Sequence, residues 1–348
     1  YLKNTKPVAR VGLVTYEPVF TATGQPWQQN GGDHSSGMYH ALVEGRIPFE
    51  MVHPSLLDEE HLAPFKLLIL SNLTSLSDLQ CDQLRRFTAR GGSLLATFET
   101  SLYDGDSQPR PDFGLADLFG VSFDKTVEGP MKNSYLKLRK DPLTDRFHPV
   151  LKGLEDARQI INGFYRIKVV PKMDFTNPVT LIPTYPDLPM EEVYKRIPDP
   201  DTSELYLREI NKSRIAYFPW DIERSFWQLM TPDHLKLLVN TIQWALNEEP
   251  LIDVKGPGVI DTAIWMQKKS MTVHLVNLTN PMMMKGPFRE LIPVEAGVSF
   301  IIPDNRRVKD VKLLMSDQNP VYKIDNNRII LENVKISDHE IIAVDFDR

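Results

Sequence analysis

The chain has 348 residues, more than one ordinary hydrophobic core accommodates, so two domains are expected. Its formal net charge of −6 gives no basic surface for nucleic acid, and no apolar run approaches the ~18 residues that span a bilayer. We therefore expect neither nucleic acid nor a membrane as a partner. One cysteine excludes an internal disulfide bond, and the composition is typical of a globular protein.

The first part of the chain alternates predicted strands and helices. Val8–Val14 and Phe49–Val52 are short apolar runs. Between them, Asp33 offers an N-cap to a predicted helix, and the preceding stretch Glu17–Gly32 is long enough for a binding loop or lid. This order, continued by the next segment, predicts an α/β fold with an open doubly wound sheet of the flavodoxin-like type.

Phe65–Tyr103 reads as strand, helix, strand. Leu67–Leu70 and Ser93–Phe98 are apolar runs, and a capping-box pattern begins the intervening helix at Ser77. The residues predicted to form the apolar face of this helix are Leu76, Leu79, Leu84 and Phe87. A crossover of this length makes the two strands parallel, and function in such sheets lies where strands end, here at Thr97–Ser101.

After Tyr103 the regular alternation of predicted strands and helices ends. A short helix is predicted over Phe113–Phe119, and the later segments predicted as antiparallel strands are 134–138, 158–170 and 179–182. The proline-rich and acidic stretch Pro183–Asp201 is expected to be exposed. Glu204–Ile210 and Arg214–Phe218 form a predicted hairpin whose second strand rejoins the main sheet. A helix beginning at Thr231 and Pro232 closes the first domain.

From Leu251 the sequence is typical of an all-β module, most simply a small antiparallel sandwich. The predicted strands are Asp261–Trp265, Met271–Leu278, Gly297–Ile302, Val308–Leu314, Arg328–Leu331 and His339–Phe346. We therefore predict a linker at 1–6, an α/β domain at 7–248 and a β-sandwich domain at 251–348.

The candidate catalytic patterns are weak. The α/β layout resembles the class I glutamine amidotransferase fold, whose nucleophilic cysteine lies on a strained strand-to-helix turn. Here that turn carries Glu99, Thr100 and Ser101; Cys81 lies in the preceding helix, and no histidine follows the late strand. No G-x-S-x-G frames Ser101, no histidine pair has metal-ligand spacing, and no dinucleotide fingerprint is present. No cofactor or metal is expected.

Two acids, Glu99 and Asp221, both follow sheet strands and can meet at the carboxyl edge of the sheet. A pair of carboxylates is what glycoside hydrolysis requires. The alternative is that the two acids cap backbone groups or pair with Arg224. Aromatic residues follow the same edges: Trp27, Tyr103, Trp220, Phe226 and Trp227. Aromatic rings beside acids suit a sugar or a protein interface equally well.

The residues resemble a known family over most of the chain. The matching stretches are GMYHALVEGRIPFEMVHPSLLDEEHLAPFKLLILSNLTSLSDLQCDQLRRFTARGGSLLATFETSLYD, IAYFPWDIERSFWQLMTPDHLKLLVNTIQWAL, MTVHLVNLTNPMMMKGPFRELIPV and DHEIIAVDF. The first two resemble the β-galactosidase trimerisation domain, an amidotransferase-like module of the glycoside hydrolase family 42 type. The last two resemble the small β-domain that follows it.

The resemblance implies a non-catalytic role. In that family the catalytic glutamates lie in an N-terminal barrel, and no residue here matches the barrel motifs. It therefore implies the C-terminal assembly region of a bacterial glycoside-hydrolase-like protein, a trimer that works with its own barrel. The residues implied to wall the barrel's active site, or to bind ligand there, are Trp27, His34, Glu99, Tyr103, Trp220, Asp221 and Arg224.

Two other functions stay open at this point. One is a carbohydrate-binding module that uses the aromatic and acidic edge of the sheet. The other is a free-standing hydrolase that uses Glu99 and Asp221. The polar stretch 1–6 begins without a methionine and without a signal-peptide pattern. The sequence therefore does not decide between the bacterial cytoplasm and export as the location of the parent protein.

Overall fold

A computed structural model describes residues 1, 3–15, 32–185, 188–192, 194, 198, 200–280 and 290–347. The fold is mixed α/β, with several sheets and few helices. The chain divides into two compact units. The β-rich unit comprises Tyr1–Val11, Leu42–Glu50 and Glu248–Arg348, and the α/β unit comprises Gly12–Ala41 and Met51–Asn247. The domain limits drawn from the sequence stay a prediction.

The helices among the described residues are α1 Gly32–Glu44, α2 Glu59–Leu62, α3 Asp78–Ala89, α4 Ala116–Phe119, α5 Ile222–Leu229 and α6 Pro232–Leu246. The strands are β1 Lys6–Pro7, β2 Val11–Val14, β3 Phe49–Val52, β4 Leu67–Leu70, β5 Ser93–Thr97, β6 Val121–Glu128, β7 Tyr135–Leu138, β8 Ile160–Ile161, β9 Arg166–Pro171, β10 Val179–Ile182, β11 Tyr206–Ile210, β12 Ser213–Phe218, β13 Ile252–Lys255, β14 Ile260–Met266, β15 Ser270–Asn277, β16 Val294–Ile301, β17 Val308–Leu313, β18 Lys323–Asp325, β19 Arg328–Ile336 and β20 His339–Phe346.

A six-stranded sheet has the order β11-β12-β5-β4-β2-β3. Strands β4, β5 and β12 run parallel, and β11 and β12 form an antiparallel hairpin, so the predicted crossover and the predicted hairpin are both confirmed. The residues of β4 and β5 are all buried, as their continuous apolar sequences predict. The parallel strands therefore end together at one edge of the sheet.

Helix α3 begins with the predicted capping box, in which Ser77 Oγ accepts from Gln80 N at 3.2 Å and Gln80 Oε1 accepts from Ser77 N at 2.8 Å. The prediction that Leu79 belongs to the apolar face is wrong, since Leu79 is 63% exposed. Five residues before the buried Leu84, it lies about 140° around the helix from that side chain.

Several strands have no clear signal in the sequence. β6 pairs antiparallel with β9 although most of its residues are polar, and its pairing is interrupted between Phe123 and Val127. The helix predicted over Phe113–Phe119 is restricted to its last turn, which Gly120 ends in a left-handed conformation with φ 73°. The local sequence therefore predicts the strands of the central sheet better than peripheral strands such as β6.

The β-rich unit contains two antiparallel sheets, with orders β1-β14-β15-β20-β17 and β13-β16-β19-β18. Side chains of both sheets contribute to one hydrophobic core, which includes Val273, Phe300 and Ile342. All six strands predicted after Leu251 are present, and β13 and β18 are additional. The residues predicted as linker include Lys6, which lies in β1 and pairs with β14.

Candidate functional site

A buried polar cluster lies at the carboxyl edge of the parallel strands, all within the α/β unit. Ser71 follows β4, Thr97 ends β5, and Asp221 and Glu223 follow β12. All four are at most 5% exposed. Parallel pairing brings these residues together because the three strands share one direction and end at the same edge.

Glu223 is the centre of this cluster. Its Oε1 atom lies 3.0 Å from His34 Nδ1, accepts from Ser71 Oγ at 3.3 Å, and accepts a short hydrogen bond from Thr97 Oγ1. The side chains of His34 and Glu223 are 3% and 0% exposed. Three polar contacts thus converge on one carboxylate oxygen, while Oε2 is buried without a hydrogen-bond partner. A buried carboxylate is costly unless partners compensate for the lost water, so the contacts to Oε1 offset part of that cost.

Gly37 allows α1 to approach α5 closely. A Cβ atom at this position would lie 1.9 Å from the backbone oxygen of Glu223, nearer than any side chain tolerates. This contact of the backbones, one helical turn after His34, places the imidazole beside the carboxylate. The glycine is therefore part of the structure that positions the site.

Asp221 is held by the chain that surrounds it. Its Oδ1 atom accepts from the backbone N–H groups of Phe164 at 2.9 Å and Tyr165 at 3.1 Å, and Oδ2 lies 3.6 Å from Arg224 Nη1. Burial raises the pKa of Asp221 to about 7, although the charges of His34 and Arg224 act in the opposite direction. The carboxylate thus caps backbone groups and faces an arginine, the structural alternative set out above.

The turn after β5 contains a bulky residue in a strained backbone conformation. β5 ends at Thr97, one residue earlier than predicted, because Phe98 takes φ 47°, a left-handed conformation that is unusual for a bulky residue. Its N–H donates to Phe218 O at 2.8 Å, and its fully buried ring stacks on His34 at 5.9 Å between centroids. The strained position of the turn is therefore filled by a buried hydrocarbon ring.

The residues that follow Phe98 also make contacts inside the protein. Glu99 is 2% exposed, and its backbone N–H donates to Asn72 Oδ1 at 3.1 Å. Ser101 is fully buried, and its Oγ accepts from Leu115 N at 3.2 Å. The structure therefore brings Glu99 and Asp221 to the same edge of the sheet, but as buried groups.

The remaining predicted site residues differ in position. Trp220 is fully buried, and its indole N–H donates to Glu204 O at 2.9 Å. Tyr103 is half-buried and exchanges backbone hydrogen bonds with the segment before α3. Trp27 lies outside the described residues. Cys81 is buried within α3, where burial raises the pKa of its thiol, as expected of a packing residue.

A second buried ionic group, formed by Arg166 with Glu204 and Glu128, has only a weak signal in the sequence. Arg166 Nη2 lies 2.7 Å from Glu204 Oε1, and Nη1 lies 2.6 Å from Glu128 Oε2. Arg166 and Glu204 are 2% and 0% exposed, and burial raises the pKa of Glu204 to about 7 against the pull of Arg166. An arginine between Tyr165 and Ile167, at the start of a strand, is the only local hint, since an inward charge needs a partner.

Neither a metal centre nor a spanning helix is found in the part of the chain that the structure describes. No group of three or more histidine, cysteine, aspartate or glutamate side chains there has the arrangement of a metal site. No helix within those residues has the length and hydropathy to cross a bilayer.

No protein-family model matches the chain, and neither does any curated protein. Solved glycoside hydrolases share its fold over nearly the whole chain. An α-L-fucosidase isoenzyme 2 from Paenibacillus thiaminolyticus matches with a TM-score of 0.72 at 18% identity, covering 99% of this chain and 50% of that one. A β-galactosidase from Bacillus circulans sp. alkalophilus matches with a TM-score of 0.64 at 14% identity, covering 98% and 42%.

A further β-galactosidase, from Rahnella sp. R3, matches with a TM-score of 0.61 at 10% identity, covering 97% of this chain and 41% of that one. At these identities the likeness concerns the fold alone. This chain spans half or less of the length of these three proteins. It therefore has the fold of one part of glycoside-hydrolase structures.

Proposed function

We propose that this chain is an accessory and assembly region of a glycoside-hydrolase-like protein and that it does not itself hydrolyse glycosides. The observation that carries the proposal is the burial of both candidate acids. Asp221 accepts from two backbone N–H groups, and Glu99 is enclosed beside a turn that presents Phe98. Glycoside hydrolysis needs two carboxyl groups that reach the sugar.

The finer fold assignment belongs to the same proposal. The order β3-β2-β4-β5-β12 places the first strand of the sheet between the second and third, which supports a flavodoxin-like, amidotransferase-like domain. Two sheets around one core support a β-sandwich for the β-rich unit. A trimeric assembly and a catalytic barrel elsewhere in the same protein complete the proposal, in keeping with the partial length of the matches to hydrolases.

The test of the catalytic part is turnover of nitrophenyl β-galactoside and nitrophenyl α-L-fucoside by the purified chain. The probes follow from the names of the proteins that share its fold. We expect no release of nitrophenol above the buffer rate. Release that disappears in Glu99→Gln and persists in the exposed control Glu60→Gln would overturn the proposal.

The test of the assembly part is light scattering across a concentration series. We expect the mass of a trimer, stable on dilution. A monomer at every concentration would contradict an assembly role while leaving the absence of hydrolysis intact, so the two parts of the proposal fail separately.

Carbohydrate binding at the carboxyl edge of the sheet is the weaker candidate. A stacking platform for a sugar must expose an aromatic face. Trp220 instead packs against Phe218 and His234, with ring centroids 6.1 Å and 5.4 Å away, and is fully buried. This placement does not favour a sugar site at that edge.

A further inference from the structure

Two buried acids hold one short segment of the α/β unit, residues 163–168, which contains the start of β9 and which we call the strap. Asp221, after β12, accepts through Oδ1 from two successive N–H groups of the strap, those of Phe164 at 2.9 Å and Tyr165 at 3.1 Å. Glu204, before β11, lies 2.7 Å from the arginine that follows in the strap. Both acidic side chains are fully buried, so the strap is attached through groups that gain or lose a proton.

The strap lies close against the segment that follows β12. Asp221 N donates to Tyr165 O at 3.2 Å, and Ile167 N donates to Pro219 O at 2.7 Å. At Gly163 a Cβ atom would lie 2.3 Å from Asp221 Oδ1, so only a residue without a side chain fits there. The strap itself therefore covers this carboxyl group, which water reaches when the strap moves away.

The arginine of the strap has a second acidic partner. Arg166 Nη1 lies 2.6 Å from Glu128 Oε2, and Lys168 Nζ lies 2.8 Å from Glu128 Oε1. When Glu204 is protonated, Arg166 keeps this second carboxylate, so the buried guanidinium is not left without a counter-ion. Glu204 is therefore able to be neutral while the strap stays closed.

Burial favours the uncharged form of both acids. It raises the pKa of Asp221 from 3.8 and the pKa of Glu204 from 4.5, in each case to about 7. The titratable and charged side chains that face the two acids are His34 on α1, Glu223 and Arg224 on α5, Glu128 on β6, Arg166 on β9 and Tyr206 on β11. Opening of the strap admits water, and each acid then ionises near its ordinary value. The open strap therefore binds fewer protons than the closed strap at mildly acidic pH.

We propose that the strap is a pH-dependent closure over the carboxyl edge of the sheet, closed at acidic pH by two neutral buried acids and opened more often as the pH rises to neutrality. On opening, Asp221 and Glu204 each release one proton to water. The opening equilibrium must therefore increase with pH below about 7 and level off above it. This inference is independent of the proposed accessory role, because the strap and both acids belong to the α/β unit and opening requires no ligand.

The experiment is amide hydrogen exchange of the full chain, read by mass spectrometry in peptides that cover the strap and corrected at each pH for the intrinsic exchange rate. We expect the opening equilibrium of the wild type to rise by more than about tenfold per pH unit between pH 5 and 6.5, with about a hundredfold as the limit for two protons. Asp221→Asn and Glu204→Gln each remove one titrating group and should reduce the rise to about tenfold or less. The exposed control Asp156→Asn should keep the wild-type rise.

Three results would overturn the inference. The first is a corrected exchange of the strap that does not change between pH 5 and 8. The second is a parallel change in α3, because the whole α/β unit and not the strap would then be opening. The third is a wild-type rise in both Asp221→Asn and Glu204→Gln. Each substitution replaces an acid by the neutral amide of the same shape, and melting curves at pH 5 verify that the variants are folded. The wild-type profile and its comparison with α3 decide without any variant.

Discussion

His34 Nδ1 lies 3.0 Å from Glu223 Oε1, and this buried contact joins α1 to α5 at the ends of the parallel strands. The same oxygen accepts from Ser71 and Thr97, so one acid connects two helices and two strands. The polar residues at the edge where α/β proteins commonly place their chemistry are here directed at one another. The cluster acts as an internal support in the structure.

Replacing the central acid should destabilise the fold strongly. Glu223→Leu removes the acceptor for His34, Ser71 and Thr97 and leaves their donors buried without partners. We expect a loss of about 3 kcal/mol in the free energy of unfolding. Urea denaturation measures the loss, with Glu60→Leu as the exposed control, for which a change within about 0.5 kcal/mol is expected. Equal losses in the two variants would contradict a supporting role for Glu223.

The close approach of α1 to α5 predicts opposite effects for two glycines of the same helix. In Gly37→Ala the added Cβ meets the Glu223 backbone oxygen, so we expect a loss of about 3 kcal/mol or more. In Gly32→Ala the Cβ meets nothing within 4 Å, and the stability should stay equal or rise by up to about 1 kcal/mol. Thermal unfolding of both variants checks the prediction. An unchanged melting temperature in Gly37→Ala would contradict the described backbone contact.

Burial of Asp221 predicts a specific pH dependence. Its pKa is raised from the ordinary aspartate value of 3.8 to about 7, so between these values the folded state binds more protons than the unfolded state. Stability from this group is therefore present at acidic pH and is lost as the pH rises towards about 7, by on the order of 1 kcal/mol per pH unit. The free energy of unfolding of the wild type relative to Asp221→Asn should fall from pH 5 to 7 and then level off.

Urea titrations at intervals of one pH unit measure this difference. The exposed Asp156 gives the control variant Asp156→Asn, whose stability should follow that of the wild type throughout. A relative stability of Asp221→Asn that is independent of pH would show that the carboxyl group ionises alike in both states.

The buried arginine pair predicts strong coupling between two substitutions. Arg166→Met leaves Glu204 buried without its cation, and we expect a loss of about 3–5 kcal/mol. In the double variant Arg166→Met with Glu204→Leu, no buried charge is left unpaired, so much of the loss should be recovered. A double-mutant cycle by urea denaturation checks this. Additive losses would contradict direct interaction of the two side chains.

The sequence predicts the elements whose signals are local. Leu67–Leu70 is a continuous apolar run, and the capping box at Ser77 requires only four neighbouring residues, so both are recognised without the fold. The polar strand β6 is missed because it is specified by pairing with β9, some forty residues later. The strand propensity of a short segment carries no information about a partner strand so far away in the chain.

The site is predictable only in its location. The carboxyl ends of the parallel strands follow from the order of strands and helices, and this places Glu99 and Asp221 at one edge. The roles of His34 and Glu223 depend on a contact 189 residues apart in the chain, and no spacing rule foretells it. The left-handed conformation of Phe98 is likewise not predictable from the sequence, because a positive φ is expected at glycine and not at phenylalanine.

The conformation of Phe98 also has a consequence for what the turn requires of its sequence. The turn has a sharp backbone at this position, with φ 47°, and the side chain there is a fully buried ring. Phe98 takes part in the hydrogen bonds of the turn through its main-chain atoms: its N–H donates to Phe218 O, and its carbonyl oxygen accepts from Tyr217 Oη. The path of the chain through this turn is thus held by main-chain contacts that do not depend on a polar side chain at position 98.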